Sequence, residues 1–231
     1  IALMIGALLA TLSRGAVLGF LVSCALFFGM ARSRRSLKHW TLLALFLAVV
    51  LAFGGIIAAW DRIEARFLEI ADEDRLPRLR LWADLFDVVY DFPLFGSGFG
   101  TFDRVFQHYQ TRFSTMIFQH AENDYLEILT DTGVLGMSIV AFLGIVFFRS
   151  MVGKWRRHRS FFATSLGLGG IASCTAIAVH SLTDFNLRVP ANAFLASVVA
   201  GMTCAVLNKG QYQDDTADGA KHDDEAQEAR A

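Results

Sequence analysis

FFATSLGLGGIASCTAIAV, residues 161–179, is nineteen residues without a charge. About 20 apolar residues are what a helix needs to cross the hydrocarbon of a bilayer. Outward from it the pattern repeats. Residues 189–207 form a second uncharged span, and 134–148 a third apolar run, extended by 126–129 before it or 151–152 after it. Residues 40–60 are uncharged with a tryptophan at each end, as spans with interfacial aromatics are. Residues 16–31 are apolar again, and 1–12 are apolar but too short to cross. With 54% hydrophobic residues and a mean hydropathy of +0.43, an ordinary soluble domain is excluded. The composition points to an all-α, polytopic membrane bundle. Cys24, Cys174 and Cys204 all lie in apolar runs at no metal-binding spacing, so neither a disulfide framework nor a structural zinc site is indicated.

Charge sets the orientation. The loops at 32–39 and 149–159 carry nine Lys/Arg, whereas the links at 13–15 and 180–190 carry Arg14 and Arg188. The positive-inside rule places the basic loops in the cytoplasm. It then places Arg14, residues 61–133, His180, Asp184 and Arg188 on the outer face. Ser13-Arg14-Gly15 reads as a tight turn between two helices, because one continuous helix would put Arg14 near mid-bilayer. Residues 208–231 have seven acidic against three basic residues and few large apolar ones, which reads as a disordered cytoplasmic tail. Residues 1–207 read as one membrane domain. Its start inside an apolar run is expected of the C-terminal part of a longer protein.

The long outer stretch has its own pattern. Leu81, Leu85 and Val89 repeat at helical spacing, widened by Trp82 and Phe86, from Pro77 to about Tyr90. Pro93 stops this helix. LFGSGFG at 94–100 is a glycine-rich turn that lacks the Lys-Ser/Thr of a phosphate-binding P-loop. Thr101 is placed to cap a second short helix to about Arg112. A third runs over about 121–131 and stops at Gly133.

The chemistry-bearing residues sit on this face. Arginine forks suit phosphate oxygens, so Arg14, Arg80 and Arg188 are candidate anion contacts. The alternative for the last two is ion pairing, Arg80 with Asp84 and Arg188 with Asp184. His120, with Asn123, Asp124 and Glu127 at helical spacing, is an imidazole with a possible orienting carboxylate, able to act as general base on a hydroxyl. An ordinary helix-start histidine fits the same spacing. His180 and Asp184 are candidates at the outer end of a span, with an interfacial cap as the alternative. No set of residues has zinc spacing.

Taken together these motifs are similar to those of one family. Ser13-Arg14-Gly15 resembles its "SRG" signature. Arg80-Leu81-Trp82 followed by Pro93-Leu94-Phe95-Gly96-Ser97-Gly98 and Phe102 resembles its "R-x-W … P-x-x-G-x-G" segment. His120-Ala121-Glu122-Asn123-Asp124-Tyr125-Leu126 through Gly133 and Gly136 resembles its "H-x-x-N-x-Y-L … G-x-x-G" segment, and His180-Ser181-Leu182 with Asp184-Phe185 resembles its last outer link. The family is the O-antigen ligase and O-antigen polymerase superfamily of bacterial inner membranes, and the resemblance covers about residues 11–207, the C-terminal half of a typical member.

The resemblance implies a GT-C-like helical fold with a long periplasmic loop. It also implies glycan transfer from an undecaprenyl-pyrophosphate carrier to a lipid A-core, glycan or protein acceptor. The partners would be these substrates and membrane lipids, with no nucleic acid, metal or cofactor. Arg14, Arg80 and Arg188 would hold the pyrophosphate. His120 would activate the acceptor, with Asn123, Asp124 and His180 lining the site. One departure stands out. The usual His-Ala-His-Asn is His120-Ala121-Glu122-Asn123 here, so either His120 acts alone or Glu122 shares its role. Two other readings compete: an anion transporter, disfavoured because the spans carry no ionisable residue near mid-bilayer, and a non-catalytic membrane assembly subunit.

Overall fold

In the computed structural model the chain is described over residues 6–8, 11, 13–33, 77–111 and 118–228, with backbone alone at 14, 77–80 and 210–228. The expected span at 40–60, most of the basic loop at 32–39 and the segment 61–76 lie outside the described residues. The described part is all-helical. The α-helices are α1 (Arg14–Ala31), α2 (Pro77–Asp91), α3 (Phe102–Val105), α4 (Asp124–Arg157), α5 (Phe161–His180) and α6 (Pro190–Glu228). Short 3-10 turns at Phe106–His108 and Asn186–Arg188 join them. Asp124–Arg157, Phe161–His180 and Pro190–Lys209 are long and apolar enough to cross a membrane, and Gly15–Ala31 is a shorter apolar helix. A polytopic membrane bundle follows. α6 continues to Glu228, through the stretch that composition reads as disordered. The stretch has few large apolar residues, but its Ala, Gln, Lys and Glu have good helix propensity.

α1 lies along α5, and α5 along α6. Ser13 caps α1, its Oγ accepting from the Ala16 N–H. Gly15 and Gly19, four apart on one face, let the backbones approach: a Cβ on Gly19 would stand 2.7 Å from the Ala176 carbonyl oxygen. At the far end of the bundle Ala31, Met151, Trp155, Leu168, Ile171 and Leu207 form one buried cluster, and the Trp155 indole N–H donates to the Thr164 carbonyl at 2.9 Å. Between its two ends α4 stands off. A cavity of about 730 Å³ separates it from α5 and α6, with apolar walls, Asp124 at one end and Arg149 at the other.

α4 is broken at Gly133, whose φ of 64° and ψ of −170° are not helical. The break strands the carbonyls of Thr130 and Asp131 and the N–H groups of Val134 and Leu135, which are each other's helical partners. The glycine-rich turn inserts between them. Ser97 and Gly98 donate to the Thr130 and Asp131 carbonyls, both at 2.9 Å, while Val134 and Leu135 donate to Pro93 and Leu94 at 2.9 and 3.3 Å. The turn is therefore a strap that replaces the missing rungs. Backbone lies on backbone here: a Cβ on Gly96 (φ 70°) would fall 2.3 Å from the Asp131 carbonyl carbon. Gly96→Val should cost about 2–4 kcal/mol. A thermal melt of the purified protein checks this, with Gly144→Ala, which has open space around it, staying at the wild-type midpoint.

The amphipathic helix appears where expected, with one adjustment. Leu81, Leu85 and Val88 are its buried apolar residues, while Phe86 is exposed. The stripe follows i, i+4, i+7, so Val88 takes the place assigned to Val89. Its partners are Phe102, Phe106 and Ala121. The second helix is shorter than expected. It turns 3-10 at Phe106 and ends at Tyr109, and Thr101 gives no side-chain cap, its hydroxyl donating back to the Gly98 carbonyl. Tyr109 donates to Asp91 at 2.6 Å, and that carboxylate holds the phenol above its ordinary pKa.

Candidate functional site

Three sequence-distant segments meet at the Asn123 end of α4. The Asn123 side chain caps the helix, accepting from Tyr125 and Leu126 N–H, and its Nδ2 donates to the Leu182 carbonyl at 2.8 Å. The Asp124 N–H is shared by the Ser181 and Asp184 carbonyls, and the Leu187 N–H donates to Asp124 Oδ2 at 3.0 Å. The link 181–189 is thereby laid over the first turn of α4. From the other side comes the start of α1. Ser13 Oγ lies 3.4 Å from His180 Nε2, which is also 3.4 Å from Asp184 Oδ2. A Cβ on Gly15 would fall within 2.0 Å of the Thr183 hydroxyl, so only glycine fits there.

His120 is not on the helix. Asn123 is the cap, and Glu122, in the left-handed region at φ 54°, turns the chain just before it. His120 therefore folds back and meets Glu127, at 3.1 Å from Nδ1 to Oε1, rather than Asp124. A carboxylate only accepts, so Nδ1 carries a proton, and in the neutral imidazole the lone pair is then on Nε2. The ring stacks on Phe185 from the link, with centroids 4.6 Å apart. Glu127 is held twice more: Oε2 accepts from the Ala121 N–H at 2.9 Å, and Oε1 also accepts from Arg188 Nε at 3.1 Å. Arg188 Nη2 goes on to Asp131 Oδ2 at 2.9 Å, and that oxygen also accepts from the Gly100 N–H of the strap. The Phe99 ring covers the guanidinium at 5.2 Å.

The result is one continuous chain of contacts, strap–Asp131–Arg188–Glu127–His120. Glu127 and Asp131 side chains are 3% and 0% exposed, so the Arg188 fork compensates two buried carboxylates. Asp131 Oδ1 and Asp124 Oδ1 are buried without a hydrogen-bond partner among the described residues. Also among the described residues, no group of three or more His, Cys, Asp or Glu could hold a metal ion.

The sequence candidates divide accordingly. His120, Asn123, Asp124, His180 and Arg188 are brought together, with Glu122 on the turn between them. Arg188 does form ion pairs, the alternative reading, but with Glu127 and Asp131 in place of Asp184, because the 3-10 turn Asn186–Arg188 carries the guanidinium to the face of α4. Asp84, the alternative partner of Arg80, accepts from the Thr111 hydroxyl at 3.0 Å and the Thr111 N–H at 3.2 Å. The Arg14 and Arg80 side chains lie outside the described residues. Their backbones are placed at the start of α1, beside His180, and in α2 next to Trp82, whose indole donates to the Ala121 carbonyl at 2.9 Å. Asp131, Phe99 and Phe185 are site residues that the sequence reading missed. A signal existed for Asp131: with Asp124 and Glu127 it falls at i, i+3, i+7, one acidic face of α4. Phe185 lies in the quoted Asp184-Phe185 motif and Phe99 in the glycine-rich turn, but no local pattern shows that these distant loops bring them against His120 and Arg188.

No curated protein matches the chain. The sequence does match the profile of the O-antigen ligase family, over residues 1–141. That span includes Ser13-Arg14-Gly15, Arg80 and the segment from His120 to Gly136, and stops short of the 181–189 link that folds onto them. The match covers more than half the chain, and on it this helical membrane protein belongs to the O-antigen ligase family.

Proposed function

We propose that the chain transfers a glycan from an undecaprenyl-pyrophosphate carrier to an acceptor at the periplasmic face of the inner membrane. The observation that carries this is the His120–Glu127 pair: an imidazole with Nδ1 fixed as donor and Nε2 available, at the end of a membrane span. The acceptor O–H loses its proton to Nε2 while its oxygen bonds to the anomeric carbon. The bond from that carbon to the pyrophosphate oxygen breaks, and the lipid pyrophosphate leaves with the electron pair. Arg14 and Arg80 are assigned to that developing charge. Arg188, whose fork is spent on Glu127 and Asp131, is assigned to positioning. The leaving group is already good, so no general acid, metal or nucleotide is called for. The apolar cavity beside α4, lined at one end by Asp124 and Tyr125, suits the isoprenoid chain of the carrier. The basic residues from Lys154 to Arg159, at the opposite end of α4, support assigning the site to the periplasmic side.

The test is the surface glycan of a strain lacking the gene. Long chains missing from lipid A-core indicate a ligase, and a single repeat unit left on the core indicates a polymerase. An unchanged profile, with protein O-glycans also unchanged, contradicts the proposal.

A further inference from the structure

The strap that closes the break in α4 is also an exposed apolar surface outside the spans. From Phe92 to Phe99 it carries no charge. Phe92, Leu94, Phe95 and Phe99 are 41–78% exposed. Glycines at 96 and 98 leave these side chains nothing of the segment's own to pack on.

The height of the strap is fixed by its hydrogen bonds. It is tied to Val134 and Leu135. Arg149 and Lys154 are the first two basic residues at the other end of α4, and about 20 residues back from them, one hydrocarbon thickness, are Leu129 and Val134, which bracket the rungs that the strap replaces. The strap is therefore at the level where the span enters hydrocarbon. His180, the last residue of α5, and Pro190, the first of α6, end their spans on the same side. Val134 and Leu135, half-exposed like the rest of the lipid-facing surface of α4, continue the strap's apolar face into that of the span. Aromatic residues at this depth are what membrane–water interfaces favour.

We propose that Phe92–Phe99 is an interfacial anchor, with Leu94 and Phe95 inserted among the lipids of the leaflet at the Asn123 end of α4. The occupant of this apolar surface is lipid, by continuity with the span, rather than a further protein segment or a glycan. The anchor has a consequence that rests on the proposed function. Gly100 holds Asp131 and Phe99 covers Arg188, so the same segment sets the depth of His120 at the level of lipid headgroups, where a carrier's phosphates travel.

The test needs no glycan transfer, so it stands or falls apart from that function. In the parent protein with native cysteines replaced by alanine, a nitroxide is attached at Leu94→Cys, Phe95→Cys and, as a water-facing control, Asp103→Cys, and the protein is reconstituted in phospholipid bilayers. Collision rates with oxygen, which concentrates in lipid, and with a water-soluble nickel chelate are read by power-saturation electron paramagnetic resonance. At 94 and 95 oxygen should dominate severalfold, with the ratio reversed at 103. Dominance of the nickel chelate at 94 and 95 would show a water-facing loop, and protection from both reagents would show a protein cover. Either result overturns the anchor. Both native side chains point away from the core, so these variants are expected to fold.

Discussion

Arg188→Ala is expected to be the most damaging single change in the described site, in stability and activity together. It takes from the buried Glu127 and Asp131 the guanidinium that pairs with both, and breaking a buried pair by removing one partner costs about 3–5 kcal/mol. His120 loses its orientation at the same stroke, because among the described residues Glu127 is then held by the Ala121 N–H and the ring it should steer. Arg188→Lys should recover little, since one ammonium cannot span two carboxylates as a guanidinium does. A combined Arg188→Met, Glu127→Gln, Asp131→Asn variant removes the uncompensated charges. It should melt close to wild type while remaining inactive. Thermal unfolding beside a transfer assay checks both halves. A stable and active Arg188→Ala protein would show that the carboxylates find another partner.

His120→Ala should leave the protein folded and in the membrane, since the ring is one-third exposed and stacks on one face only. Transfer should fall about 10²–10⁴-fold, the contribution of a positioned general base. Glu127→Gln should fall less. Its amide can still accept from the Ala121 N–H, but it gives His120 Nδ1 a neutral partner and Arg188 no counter-charge. Graded losses in that order, with unchanged membrane content on immunoblots, fit an orienting carboxylate behind a base. Equal losses would make Glu127 a reacting group itself.

The spans were legible because a bilayer imposes a length and a composition that no packing detail can override. Residues 161–179 and 189–207 can be read one residue at a time. The amphipathic helix was legible for a similar reason, yet the choice of Val88 over Val89 depends on which side Phe106 and Ala121 approach from. The motifs revealed which residues carry chemistry, but not which partner each one takes. His120 and Asp124 share a helical spacing, and a left-handed Glu122 with an Asn123 cap turns that spacing into a contact with Glu127 instead. The strap was the least legible element. A glycine-rich turn between helices reads as a connector, and only the broken rungs at Gly133, set by long-range contact, show what its N–H groups are for.

The central claim is that His120 activates an acceptor against a lipid-pyrophosphate glycan donor. It is tested most directly with the purified parent protein reconstituted in lipid with a lipid-linked glycan and a lipid A-core or glycan acceptor, in the presence of EDTA. Wild type should form the glycan–acceptor product and release lipid pyrophosphate in equal amount, and His120→Ala should form neither above background. Full transfer by His120→Ala would contradict the account.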